Sequence, residues 1–196
     1  MDGMNWMASA MRAAQAQLET ATHNLANVAS DGFRRVRSTV ALTAAGLVTH
    51  QSTDPAQGGI RETGRALDLA LIGPGAFRVD GGANTRDGAF QRDRDGYLTD
   101  RQGRRVQGRS GPIRLSETAV VGTDGTIRDA GRVVGILPLP AGTTVRSGAL
   151  ESSSVDAIGE TLAVLTAQRA FETAQKTFGA IDETRDKAVN DVARLK

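Results

Sequence analysis

The sequence predicts an α+β protein: long N- and C-terminal helices pairing as a coiled coil, with a small antiparallel all-β domain inserted between them. Three observations carry that prediction. Apolar residues recur at three-four spacing at both ends of the chain. Glycine-centred turns punctuate the middle roughly every 8 to 12 residues. Between those turns, apolar and polar residues alternate.

The first amphipathic segment runs from the N-terminus to about residue 28. Met4, Met7, Met11, Ala14, Leu18, Ala21, Leu25 and Val28 keep a heptad spacing without a miss. All 4 methionines of the chain fall at its start. A flexible thioether fills irregular surfaces, which suits a helix with several neighbours. Asn24 and Asn27 flank Leu25-Ala26, and Ser30-Asp31-Gly32 is a turn signal, so the helix is expected to stop near Asn27.

Residues 33–59 are less regular. Val36, Val40, Leu42, Leu47 and Val48 are scattered among polar residues, and the end of the stretch holds Pro55 and Gly58-Gly59. This reads as an extended arm or loop that orders on contact with a neighbour.

Residues 60–140 read as strands. Leu67, Leu69 and Leu71 alternate with Asp68 and Ala70, and Gly73-Pro74-Gly75 turns the chain before Phe77 and Val79. Val120-Val121, the Asp124-Gly125 turn and Thr126-Ile127 predict a hairpin. Val133, Val134, Ile136, Leu137 and Leu139 predict a last buried strand. The turn frequency predicts a small sandwich or barrel. Residues 141–150 are a Gly/Thr/Ser connector to the last segment.

From Val155 onward the chain reads as one long helix. Val155, Ile158, Leu162 and Leu165 make one a/d run, and Phe171, Ala174, Phe178, Ile181, Ala188, Val192 and Leu195 make a second, with Arg185 on it. The step from Leu165 to Phe171 breaks the heptad and predicts a register shift. Ser152, Ser153 and Ser154 offer N-cap hydroxyls, and Asp156 and Glu160 suit the positive end of the helix dipole. A narrow stripe of this kind needs a partner helix. The other end of the chain supplies one, which brings the termini together. The expected division is 1–32 with 151–196 as the helical domain, 33–59 as the arm, 60–140 as the β domain and 141–150 as the connector.

Composition removes several function classes. The formal net charge is +2, too balanced for charge alone to indicate nucleic acid. Between Arg61 and Arg114 the chain does carry an excess of arginine over acid, and a basic nucleic-acid-binding module is the alternative reading from another class. There is no cysteine, hence no disulfide, thiol catalysis or Cys-based zinc site. No apolar run reaches the ~18 residues of a membrane span, and the N-terminus lacks the basic and apolar regions of a Sec-type signal. His23 and His50 are far apart and have no carboxylates at ligand spacing. Asp93 and Asp95 before Gly96 have the look of a calcium loop, but the bidentate Glu is missing. Asp68 and Asp80 read as surface acids. No nucleophile elbow, P-loop or dinucleotide fingerprint is present. No enzyme, cofactor or metal site is expected.

Three stretches together resemble the bacterial flagellar rod and hook family of axial proteins. Asn24-Leu25-Ala26-Asn27-Val28-Ala29-Ser30-Asp31-Gly32-Phe33 is similar to the family's N-L-A-N-V-x-T-x-G-F signature, with Ser30 for Thr. The run from Gly64 to Val79 is similar to the L-D-L-A-I-x-G-x-G-F-F motif, here on Leu67, Asp68, Gly73, Gly75 and Phe77, with Ala76 for the first Phe. Thr85-Arg86-Asp87-Gly88 continues it. The run from Gly148 to Asp156 resembles G-x-L-E-x-S-N-V-D, here on Leu150, Glu151, Ser153 and Val155, with Ser154 for Asn. Gln168-Arg169-Ala170-Phe171-Glu172 follows, close to Q-R-A-Y-E. Together the motifs span nearly the whole chain in the family's order.

The resemblance implies a structural subunit of the flagellar basal-body rod, nearest the proximal and distal rod proteins. A hook or hook-junction role is the alternative within the family. It implies paired terminal helices forming an inner tube, with subunits packing through the two helix seams and the β domain outside. It implies partners in further copies of the chain and in other rod and hook proteins. It also implies export from the cytoplasm by the flagellar type III apparatus without a cleaved signal, and location in the basal body. Neither nucleic acid nor membrane insertion is implied. The chain is short for a distal rod protein, so a trimmed β domain is expected.

Overall fold

In the computed structural model, residues 3–44 and 46–194 are described. The chain divides into two compact units. Met1–Ala26, Arg35–Asp54 and Asp156–Lys196 form one; Asn27–Arg34 and Pro55–Val155 form the other.

The first unit holds α1 (Gly3–Ala26), β1 (Val36–Thr43), β2 (Gly46–Thr53) and α2 (Ala157–Arg194). The two helices pack side by side and antiparallel. Met7 and Ala10 share a groove with Arg169–Thr177, and Gln17, Ala21 and Asn24 share another with Gly159–Ala167. On α1, the predicted heptad from Met4 to Leu25 is buried or half-buried at every position. Val28 is exposed and lies past the end of the helix, in the second unit. α1 also buries a second face, Ser9, Ala13, Thr20 and Asn24. That face meets the hairpin: Leu47 N donates to Ser9 Oγ at 3.3 Å, and the Gln51 amide donates to Thr20 Oγ1 at 2.9 Å.

The stretch expected to be an extended arm is this hairpin. β1 and β2 pair antiparallel from Val36↔Thr53 to Thr43↔Gly46. The sequence disguised it because only one flank meets a helix, and most of its residues are exposed. The 2-residue alternation of a half-buried strand is therefore faint.

On α2 the predicted register shift does not occur. Glu160, Val164, Ala167, Phe171, Ala174, Phe178 and Ile181 are buried or half-buried and make an unbroken four-three repeat, with Gly159 and Ala163 half-buried beside it. Ile158, Leu162 and Leu165 belong to a different, largely exposed stripe, with Leu162 at the edge of the groove shared with α1. The two runs looked like one seam with a step because Glu160 and Ala167 were not counted as apolar positions. Leu195 lies outside the described residues, as does the side chain of Val192. The serines do not cap the helix either. α2 begins at Ala157, and Asp156 caps it by accepting from Ile158 N at 3.1 Å.

The second unit carries short antiparallel strands: β3 (Ile60–Glu62), β4 (Leu69–Ile72), β5 (Phe77–Val79), β6 (Asn84–Thr85), β7 (Gln91–Arg92), β8 (Leu98–Thr99), β9 (Val106–Gly108), β10 (Gly111–Pro112), β11 (Val120–Val121), β12 (Thr126–Asp129), β13 (Arg132–Ile136), β14 (Thr144–Ser147) and β15 (Ala149–Glu151). They pair as small sheets of two to four strands, the largest in the order β10-β9-β5-β6. The predicted sandwich or barrel is thus a set of small sheets around one core. Leu69, Leu71, Phe77, Val79, Phe90, Leu98, Val106, Ile113, Ile127 and Leu137 fill it. The Phe77 and Phe90 rings meet edge to face, 4.9 Å between centroids.

Two readings of this region change. β4 is buried on both faces, so Ala70 and Asp68 are inside along with the leucines. β13 forms as predicted, but Val133, Val134 and Ile136 are exposed and only Leu137 beyond it is buried. The strand is the outer member of β11-β12-β13, and the position that lies against Ile113 of the core is Gly135, not one of the large residues. The predicted hairpin at Val120–Ile127 is present, with Val121 opposite Ile127. Among the described residues no helix is long and apolar enough to cross a membrane.

Candidate assembly surface

In the helical unit, Asn24 explains why an amide suits the end of α1. The side chain is buried, donates to Val36 O at 2.8 Å and accepts from Val36 N at 2.9 Å. One amide thus satisfies both polar groups of a strand residue, as a neighbouring strand would. Arg35 immediately precedes Val36, and its Nε donates to the buried Glu160 carboxylate of α2 at 2.5 Å. Asp54 N donates to Arg35 O at 2.8 Å, and the Arg37 guanidinium pairs with the Asp54 carboxylate at 2.6 Å. The hairpin is therefore pinned at its base to both helices.

The predicted packing residues of α2 divide between two faces. Phe171, Phe178 and Ile181 are half-buried on the seam with α1. Ile158, Leu162 and Leu165 remain 75%, 59% and 47% exposed. Three large aliphatic side chains on one stripe of a helix are a patch that water covers at a cost of about 25 cal/mol for each Å². Arg169 is exposed, and Val155 is half-buried just ahead of the helix, in the other unit. Near the far end of α2, the Arg185 guanidinium contacts Met4 Sδ.

In the β unit, the motif glycines and Glu151 converge on a residue that was quoted in a motif but not singled out, Arg86. Its guanidinium is buried and donates to the Glu151 carboxylate at 2.5 Å, to Gly75 O at 2.8 Å and to Gly73 O. Burial pulls the Arg86 pKa below the usual arginine value, and the Glu151 charge pushes back. The same carboxylate accepts from Gly58 N at 3.2 Å and lies 3.8 Å from the Arg34 guanidinium. The Glu151 backbone carbonyl accepts from Gly32 N at 2.6 Å. Gly32 has φ +70°, and a Cβ there would meet the Arg86 carbonyl carbon at 2.2 Å. Only glycine fits that conformation and that approach.

The other motif residues are structural in the same way. Leu150 and Phe77 are core, and Leu67 packs against the core from its edge. Asp68, read as a surface acid, is buried. Its carbonyl accepts from Gly148 N at 2.8 Å, and its carboxylate sits 3.7 Å from Arg65 Nε. Asn27 O accepts from Ser30 N at 3.1 Å, closing the turn after α1. Phe33 is half-buried, and its carbonyl accepts from Ser154 N at 3.0 Å. Ser153 Oγ accepts from Val155 N at 3.3 Å. Arg86, Arg35 and Arg37 were missed because charged residues read as solvated. The available signal was arginine embedded among turn glycines and beside strand residues.

Much of the arginine excess of the β unit is held internally. Arg61 and Arg101 pair with Asp31, Arg92 with Glu117, Arg104 with Asp100, Arg105 with Asp93 and Arg146 with Glu62. A guanidinium already paired this way has less to offer a phosphate backbone. Among the described residues, no group of three His, Asp or Glu side chains is placed to hold a metal ion.

The chain is similar to known proteins. Residues 146–191 match the family described as flagellar basal body rod FlgEFG protein C-terminal. The chain is 27% identical to the flagellar basal-body rod protein FlgG of Bacillus subtilis, covering 93% of this chain and 96% of that one. It is 28% identical to the rod protein FlgF of Mesorhizobium japonicum, over 92% of this chain and 93% of that one. It is 26% identical to the rod protein FlgG of Agrobacterium fabrum, over 90% and 94%. The matched span with the Bacillus protein is 253 residues, longer than the 196 of this chain, so that relative carries segments this chain lacks. Residues 146–191 thus match the model of the flagellar basal body rod FlgEFG protein C-terminal family, in a chain that resembles flagellar basal-body rod proteins over nine-tenths of its length.

Proposed function

We propose that this chain is a structural subunit of the bacterial flagellar basal-body rod. It is exported unfolded by the flagellar type III apparatus and assembles head to tail into the shaft that carries torque from motor to hook. In this reading α1 and α2 pair as a coiled coil in the inner tube of the shaft. A contact between two different patches on each copy does not close on itself and so builds a helical filament.

The observation that carries the reading is the exposed stripe Ile158, Leu162 and Leu165 on a helix whose other face is already occupied. The resemblance to proteins named as rod components favours rod over hook. The lack of cysteine suits passage through an oxidising compartment in unfolded form.

Two experiments test this. Mass spectrometry of purified hook–basal bodies is expected to find the chain in stoichiometric amount with other rod proteins; finding it only in the cytosol of flagellated cells would end the reading. Leu162→Asp is expected to abolish assembly and motility while the soluble chain keeps its wild-type melting curve, because the side chain is 59% exposed within its own subunit. Normal assembly of that variant would remove the stripe from the interface.

A further inference from the structure

The exposed stripe has a counterpart elsewhere on the same unit. Met7, Ala10, Ala170, Thr173, Ala174 and Thr177 line a groove of about 430 Å³ along the junction of α1 and α2, with Arg169 at its rim. The groove is continuous with the α1–α2 seam, since Met7 and Ala174 belong to both. Its two threonine hydroxyls are already satisfied. Thr173 Oγ1 donates to Arg169 O at 2.8 Å, and Thr177 Oγ1 donates to Thr173 O at 2.9 Å. Both hydroxyls are used within the helix, so the occupant need not supply hydrogen bonds. Small side chains on the wall and methionine at the edge admit a large aliphatic knob.

We infer that this groove receives the Ile158, Leu162 and Leu165 stripe of a second copy of the chain, staggered along α2 by about twelve residues. The inference rests on the self-assembly proposed above and says which two surfaces meet. Three relations support it. First, the spacings match in parallel orientation: with that stagger Ile158 meets Ala170, Leu162 meets Ala174 and Leu165 meets Thr177. At 1.5 Å per residue the offset is about 18 Å. Second, the same stagger brings Asp156, exposed at the start of α2, beside Arg169. The Arg169 guanidinium forms no ion pair among the described residues, and an opposite charge at the rim fixes register. Third, the stripe and the groove lie on different sides of α2, roughly 100° apart around the helix. One copy therefore offers a stripe to one neighbour and a groove to another, the heterologous contact a helical shaft requires.

Because the chain has no cysteine, disulfide trapping tests this directly. Leu165→Cys/Thr177→Cys places two thiols on one helix about 18 Å apart, too far to close within a subunit. Any disulfide is then between copies. Oxidation of the concentrated full-length double variant is expected to give a ladder of covalent multimers, with each single variant yielding dimers at most. Ile158→Cys/Ala170→Cys samples the same stagger at a second pair and is expected to behave alike, so a folding defect in one variant leaves the test intact. Leu165→Cys/Thr184→Cys, out of register, is expected to give no ladder. If the double variants assemble by sedimentation but form no ladder, or the out-of-register pair forms one as readily, the groove is filled by something else and this inference falls alone. If the wild-type chain stays monomeric at the same concentration, the self-assembly reading falls with it.

Discussion

The two units are held by different kinds of core. The β unit closes around large side chains: Phe77, Phe90, Leu69, Leu98, Ile113 and Ile127 are fully buried. Among the described residues of the helical unit the buried apolar side chains are alanines, Ala13, Ala14, Ala21, Ala167 and Ala174, while Met4, Met7, Met11, Phe171 and Phe178 are half-covered. A buried Phe or Leu removes several times the apolar area of a buried Ala, and the stabilisation follows the area. The β unit therefore holds the larger apolar core. The helical unit leaves its larger apolar groups part-exposed along the seam and on the Ile158, Leu162 and Leu165 stripe, and in the proposed assembly neighbouring copies would cover them.

This contrast can be broken most sharply at Arg86. Arg86→Met leaves the Glu151 carboxylate buried without its main partner and strands the Gly73 and Gly75 carbonyls. A loss of about 3–5 kcal/mol in denaturant unfolding of the β unit is expected, whereas a cost below 1 kcal/mol would show that water replaces the guanidinium. Phe77→Ala tests the apolar half of the same unit. It is expected to cost about 3–5 kcal/mol and to leave the helical content measured by circular dichroism in place. Parallel loss of helix signal would tie the two cores into one cooperative block.

In the helical unit the effects are smaller. Asn24→Ala removes both bonds to Val36 and is expected to cost about 1–3 kcal/mol, read as faster amide exchange along β1 with β4 unaffected. The smallest effect is at Asp124, where the Thr126 amide and then its hydroxyl hold the carboxylate below the usual range. A depressed carboxylate stabilises fully above its unfolded pKa and loses that contribution as pH falls through the folded value. Acid titration should thus weaken the β11–β12 hairpin below the ordinary carboxylate range, and Asp124→Asn should flatten that dependence. An unchanged acid profile in the variant would dismiss the bonds as inconsequential.

The terminal helices were legible because a four-three repeat needs only local spacing. The Met4–Leu25 run has no gaps, and α1 stops within a residue of Asn27. The same rule misled on α2. It joined Leu165 to Phe171 as one interrupted seam, when Glu160, Val164 and Ala167 continue the seam and Leu165 faces elsewhere. Pattern alone does not say which of two apolar stripes the partner covers. The hairpin after Phe33 was missed for a related reason. Its stability comes from Asn24, Arg35 and Arg37 reaching side chains and backbone distant in sequence, and none of these is an apolar signal. In the β unit the turns at Gly73, Gly75 and Gly125 were readable from residue type. The burial of Asp68 and Arg86 was not.

The sequence by itself determined the class, two terminal helices with short antiparallel strands between them in the chain, and the motifs that resemble the rod family. Those depend on periodicity and on glycine at turns, both local properties of the chain. Tertiary structure alone decided that Arg86 and Glu151 gather the loops of the β unit, that β1 and β2 form a hairpin on α1, and that Ile158, Leu162 and Leu165 are left facing water. Each of those is a choice of partner. A side chain carries its chemistry in the sequence, but what it meets is set only when segments far apart in the chain are packed together.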